Sequence, residues 1–330
     1  MRIYLAGWWH VGNAIGTNIH QYNLHTVRYP FHLESFHYMD RQIIQQARMA
    51  QTKMFLDSGA FSAMTQGVKI NIKAYAKFIQ GNQDIVDFAS NLDDTTKTEQ
   101  VSYDNQKYLE GAGCQVKPVF HCREDEKWLR RYIDEGYDYI LLGGMVPETT
   151  KWLIGWLDHL WHHYFTKSDG TARFKVHGFG LTSLPLMYRY PWYSVDSSSW
   201  AQTAKFGGVL LDIMQPDGSY KDYNIEFSDN TASRYNLHGW HYWSLSKDEQ
   251  RTIENRLAEM EEARHKNPEI EDRLAVMMKC KQGFYPEALA KSYGWRMYAN
   301  LEYFRRAMER RVTTFRRKQD TLWDHFGRTG

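Results

Sequence analysis

Two segments of the chain bring a carboxylate to the end of a short apolar run. Residues 55–62 read FLDSGAFS and residues 193–200 read YSVDSSSW. In each, a strand would carry an aspartate, Asp57 or Asp196, to its tip. A pair of carboxylates is what transfer at a sugar's anomeric carbon needs, one as nucleophile or ion stabiliser and the other as proton donor and acceptor. Ser58, Gly59 and Ala60 are small enough for a flat ligand to approach the backbone, and Phe61 adds an aromatic face. Taken singly, the first segment also fits an Asp-Ser-Gly turn, and Asp196 or Ser197 also fits a helix cap. Two such aspartates on one face of a scaffold favour chemistry.

Three further segments add polar groups. In YILLGGMV, residues 139–146, Gly143 and Gly144 follow an apolar run; they would either expose backbone N–H groups to a carbonyl such as guanine O6 or form a tight turn. In HGFG, residues 177–180, His177 would either stack on a base or end a strand as a satisfied histidine. Asp93 could accept from guanine N1–H and the 2-amino group, although with Asp94 beside it a polar loop is an equal account.

These residues need a scaffold that gathers strand ends. Strands are expected near residues 3, 55, 87, 118, 140, 175, 194 and 210, with helices over 40–51, 70–81, 99–112, 124–135 and 148–165 and a short one around 182–189. Strands alternating with helices imply a parallel sheet, and about eight such units imply a TIM-like (β/α)₈ barrel whose site lies at the C-terminal strand ends. Asp57, Asp93, His121, Gly143-Gly144, His177 and Asp196 fall at those ends. The barrel is expected to span 1–245. Residues 246–330 read as a helical, basic C-terminal extension, starting with the charged helix 246–265. Between Arg296 and Lys318 lie eight Arg or Lys and two Glu. Arg305, Arg306, Arg310, Arg311, Arg316 and Arg317 are the candidate phosphate contacts, against the alternative of a solvated helix face.

Composition bounds the rest. Hydrophobic residues are 42% of 330, enough for a sizeable core, and the net charge of +2 leaves any nucleic-acid surface local. Cys114, Cys122 and Cys280 are too few for a disulfide framework and lack zinc-finger spacing. With no signal-peptide pattern and no apolar run of membrane length, a cytoplasmic protein is expected.

The motifs together resemble a known family. DSGAFS is similar to the DSGGFQ-type motif of tRNA-guanine (queuine/archaeosine) transglycosylases, and the other segments follow in that family's order. DIVDFASNLDD resembles the strand ending in a base-binding aspartate, here Asp93. VFHC stands where the family has a base-contacting glutamine, here His121. LLGGMV, HGFG and VDSSSW resemble the Gly-Gly segment, the Gly-x-Gly segment and the nucleophile strand. The resemblance covers about residues 50–200. The departures are specific. No cysteine lies between Cys122 and Cys280, so the family's structural zinc site is missing; Ser62 replaces a glutamine; and the Pro-Thr-Arg tripeptide after the nucleophile is absent. They point from tRNA toward the phage branch that exchanges guanine in DNA for a 7-deazaguanine such as preQ0.

The resemblance implies a covalent glycosyl-aspartate at Asp196 and proton transfer by Asp57. It implies base reading by Asp93, His121 and the Gly143-Gly144 amides, a sandwich of Phe61 and His177, and a pocket wall that includes Ser58 and Gly178. DNA and the free deazaguanine base are the implied partners, with tRNA as the runner-up substrate, and no metal or redox cofactor is called for. A non-catalytic nucleic-acid-binding barrel is the rival of a different class.

Overall fold

The computed structural model describes residues 1–8, 29–93, 98–146, 148–181, 183–229, 241–265, 283–310 and 312–315. The chain divides into two compact units. The first comprises 1–10, 30–197 and 310–330; the second comprises 11–29 and 198–309. The sequence reading placed its boundary at 245.

The first unit is built on nine parallel strands: β1 (Arg2–Ala6), β2 (His32–Ser35), β3 (Met54–Asp57), β4 (Val86–Ser90), β5 (Val116–Lys117), β6 (Val119–His121), β7 (Tyr139–Gly143), β8 (Lys175–Gly178) and β9 (Ser194–Ser197). The hydrogen-bonded order is β5-β4-β3-β2-β1-β9-β8-β7-β6. Strands β5 and β6 are halves of one extended segment interrupted at Pro118, which lacks the N–H a ladder needs. The sheet's two ends therefore meet at that residue, and the sheet curls into the expected TIM-like barrel. Helices follow the strands: α1 (Arg41–Met49), α2 (Ala60–Thr65), α3 (Ile72–Gly81), α4 (Glu99–Gly111), α5 (Glu126–Asp134), α6 (Thr150–Leu160) and the short α7 (Leu184–Met187). Their starts are set locally. Asp40 accepts from the Ile43 amide, Asn71 from Lys73 and Ala74, and Asp125 from Lys127, each satisfying an orphan N–H of the first turn.

Alternation along the strands turns one set of residues inward. Tyr4, Leu33, Phe55, Phe88, Val119, Tyr139 and Leu141 form the barrel core. Phe55 and Phe88 stack with centroids 4.4 Å apart, and Tyr4 meets both edge-on. One layer further along each strand, the same alternation presents Asp57, His121, Gly143 and Asp196.

Two expectations about the strands need correction. No strand was expected at His32–Ser35, yet it pairs with both β1 and β3 and takes the second place in the barrel. The run near residue 210, expected as the eighth barrel strand, belongs to the second unit. There β10 (Gly208–Met214) pairs antiparallel with β11 (Tyr220–Glu226), outside the barrel sheet. A largely apolar run of seven residues does not reveal its neighbour, and Gly207 before it lies in a turn.

The second unit also holds helices α8 (Ser199–Lys205), α9 (Lys247–His265), α10 (Pro286–Lys291) and α11 (Tyr293–Glu309). Helix α11 is its centre, with Trp295, Tyr298, Leu301 and Phe304 buried. A buried ion pair joins Arg256 of α9 to Asp212 of β10. Arg296 is buried too, and donates to the carbonyls of Ala204, Leu289 and Ala290 at the ends of α8 and α10. No described helix is long and apolar enough to cross a membrane.

Candidate active site at the barrel mouth

Asp57 is the last residue of β3. Its carboxyl keeps a small opening to solvent and is enclosed by protein elsewhere. Oδ2 accepts from the Gly59 amide at 3.0 Å and Oδ1 from the Ser90 hydroxyl at 3.2 Å. The turn that returns Gly59 to Asp57 requires glycine. Its φ is +75°, and a Cβ there would lie 2.3 Å from Ser35 Oγ. Ser90, fully buried at the end of β4, also accepts the Ser58 amide at 2.8 Å. Tyr75 of α3 locks the two strand ends together by donating toward the carbonyls of Leu56 and Ser90.

Asp196 is buried on β9. Its Oδ1 accepts from the Gly180 amide at 2.9 Å and pairs with His177 Nε2 at 3.2 Å. His177 Nδ1 meets Ser194 Oγ at 2.8 Å, and Ser194 Oγ meets the Tyr139 hydroxyl at 2.6 Å. A chain from Tyr139 through Ser194 and His177 thus orients one oxygen of Asp196. Among the described residues, Oδ2 has no hydrogen-bond partner.

The third group is a row of charges. Asp93, just beyond β4, pairs through Oδ2 with His121 Nε2 at 2.7 Å and accepts the Ser58 hydroxyl on Oδ1 at 3.3 Å. His121 Nδ1 pairs with Glu124 Oε1 at 3.0 Å, while Glu124 Oε2 accepts the His121 amide at 3.0 Å. Arg123, in the left-handed region at φ 74°, turns the chain so that Glu124 folds back onto His121.

Electrostatics couple these groups. Burial pushes the Asp57 carboxyl up, the charge of Asp93 adds to that and Asp196 contributes, against the lowering hydrogen bonds from Gly59 and Ser90; the result is about 7. The charge of Asp196 is thus among those that raise Asp57. Burial lowers His121, but its hydrogen bonds to Asp93 and Glu124 outweigh that and raise it to about 10, so it is a cation at neutral pH.

The remaining expected site residues divide. Ser58 and Asp93 stand beside Asp57. Phe61 opens α2 and is 67% exposed, a free aromatic face at the rim. His177 is fully buried, so its expected role as a base-stacking face is corrected: inward-facing on β8, edge-on to Phe55 and Phe179, it supports Asp196 from below. Gly178 is also corrected, because alternation turns it outward, where a Cβ would press on Trp192 and Leu181. Gly143 serves His121: a Cβ there would lie 2.7 Å from the imidazole Cδ2. Both ring nitrogens of His121 are engaged by carboxylates, so it is not the free base-contacting donor that was expected.

Of the expected basic row, the three described members are each partly buried. Arg305 is ion-paired to Glu302 at 2.7 Å, Arg306 is partly buried, and Arg310 is partly buried and hydrogen-bonded to Tyr188. Arg311, Arg316 and Arg317 lie outside the described residues, as do Asp94 and the N-terminal histidines His10, His20 and His25.

Gly180 lay inside the HGFG segment without its amide's bond to Asp196 being expected, and sequence reasoning missed Ser90, Glu124 and the Tyr139–Ser194 pair altogether. Only Glu124 carried a signal, an acid three residues after a strand-end histidine. No protein-family model matches the chain, and no curated protein matches it. The site's own chemistry therefore carries the functional reading.

Proposed function

We propose that this protein is a glycosyl transferase that exchanges guanine in DNA for a 7-deazaguanine such as preQ0. The observation that carries the reading is the placing of Asp57, a carboxyl that keeps part of its proton near neutral pH, with Asp196, whose Oδ1 is anchored while Oδ2 has no partner among the described residues. One group is suited to moving a proton and the other to attack, the division of labour glycosyl transfer uses.

A target deoxyguanosine leaves the base stack, since an in-line approach to C1′ is closed inside a duplex. Asp196 Oδ2 attacks C1′ as the bond to the guanine nitrogen breaks, and Asp57 gives the departing base its proton. The incoming deazaguanine returns a proton to Asp57 while its ring nitrogen attacks C1′, and the glycosyl-aspartate bond breaks. No electron is gained or lost overall. Phe61 is suited to cover one face of the base, and Asp93, beside the proton donor, to accept its N–H groups.

The test is mass spectrometry of nucleosides from DNA incubated with the protein and preQ0. The expected product is the deoxynucleoside of preQ0, with an equal amount of guanine released. Unchanged DNA would refute the reading, and exchange confined to tRNA would move the substrate to RNA.

A further inference from the structure

We propose that Glu124 and His121 are positioning residues that fix the charge Asp93 presents to Asp57, and so set the pH at which the site gives up its proton. The proposal deepens the transfer reading and rests on it for its functional meaning, but its geometry is independent. The row Glu124–His121–Asp93 continues through the Ser58 hydroxyl and Ser90, which receives the Ser58 amide and donates to Asp57. Every member is at least partly buried, and His121 is seated by the missing side chain of Gly143.

An imidazole is the right part for this place. Its two nitrogens point in opposite directions, so one ring holds two carboxylates that would otherwise repel each other at short range in a poorly solvated mouth. The three groups lie in a row, and among the described residues no three such side chains converge to hold a cation. Among the described residues the ionisable groups facing the row are few, and Tyr75 of α3 feels the charges of Asp57 and Asp93. Asp57 faces Asp93, with Asp196 beyond it; Cys122 and Tyr132 feel the charge of Glu124; and Gly143 brings none. Arg123, the nearest guanidinium in sequence, is turned outward to Glu148 and the face of Trp152. Among the described residues, His121 is thus the cation placed to offset Asp93.

Two substitutions should move Asp57 in opposite directions. His121→Gln removes a positive charge, so neighbouring carboxyls hold their protons more tightly. Glu124→Gln removes a negative charge, so they hold them less tightly. Carbon-13 NMR of labelled aspartate in the full chain follows the Asp57 titration directly, and nitrogen-15 NMR reports the His121 ring. The expected results are a doubly protonated His121 at pH 8 and an Asp57 midpoint raised by about one unit in His121→Gln. The midpoint should fall by about half a unit in Glu124→Gln and return to the wild-type value in the charge-conserving Glu124→Asp. A neutral His121 ring at pH 8 overturns the proposal, even if His121→Gln does not fold. Midpoints that stay still or move together in folded variants also overturn it. These titrations need no turnover, so failed base exchange would strike the transfer reading alone.

Discussion

The two ends of the barrel use the same strands and opposite electrostatics. At the N-terminal end, Arg2 lies over the rings of Phe31 and Tyr193, and Asp138 is shared between Lys117 and Lys175. Those charges are of both signs, and Asp138 is 70% exposed. A depression of about 350 Å³ opens there, lined by Arg2, Tyr4, Phe31, Lys53 and Asp87 among others. At the C-terminal mouth, Asp57, Asp93, Glu124 and Asp196 are gathered with a single raised histidine among them. Water relieves the first end, so its ion pairs stabilise little. The second is held by backbone amides and hydroxyls, and burial, with the charges of Asp93 and Asp196 added, leaves Asp57 raised. A cavity alone is therefore a poorer guide to chemistry than crowded like charges.

The sharpest way to break this comparison is Asp196→Ala. It removes the attacking oxygen, and base exchange should fall below detection in the nucleoside assay while the circular dichroism spectrum is unchanged. Substantial remaining turnover would remove the nucleophile assignment.

Next in size is Asp57→Asn, expected to slow exchange by about 10²–10⁴-fold. It should also stabilise the protein. A carboxyl that ionises near its ordinary 3.8 when unfolded but near 7 when folded weakens the fold as pH rises through that window, and the loss persists above it. An uncharged asparagine avoids the loss, so denaturant melts at pH 8 should show a gain of about 1–3 kcal/mol, discounted because the carboxyl keeps some solvent. At pH 4 the gain should be small. Equal stability of variant and wild type at pH 8 would mean that the mouth is not under electrostatic pressure. The smallest effect belongs to the other end: Asp138→Ala should change stability by no more than about 0.5 kcal/mol and leave exchange untouched. A larger loss would show that the N-terminal charges matter as much as those of the mouth.

Much of this was legible in the sequence, for identifiable reasons. Strands β3 and β7 are short apolar runs that stop at a polar residue or glycine, β9 follows the apolar Trp192-Tyr193, and the barrel rule places their ends together. Strand β2 was illegible because His32-Leu33-Glu34-Ser35 contains one apolar residue. Its histidine is buried by stacking on Trp8, with centroids 4.7 Å apart, which no local pattern announces. His177 was assigned the wrong task because its distance from Asp57 along the chain says nothing about depth in the barrel. Depth comes from strand register, where His177 stands opposite Ser194, two residues below Asp196. Glu124 needed the left-handed turn at Arg123, and an arginine is not a residue that advertises such a turn.

The interruption at Pro118 has a mechanical consequence. Strand β4 is laddered to β5, ending with the Asn91 amide on the Lys117 carbonyl, whereas β6 is laddered to β7. Beyond that point the wall between the two halves is fastened by side chains, through the bond from Asp93 to His121. The charge row is thus also a clasp across a seam, and whatever uncouples those two residues loosens the barrel where the acid is mounted.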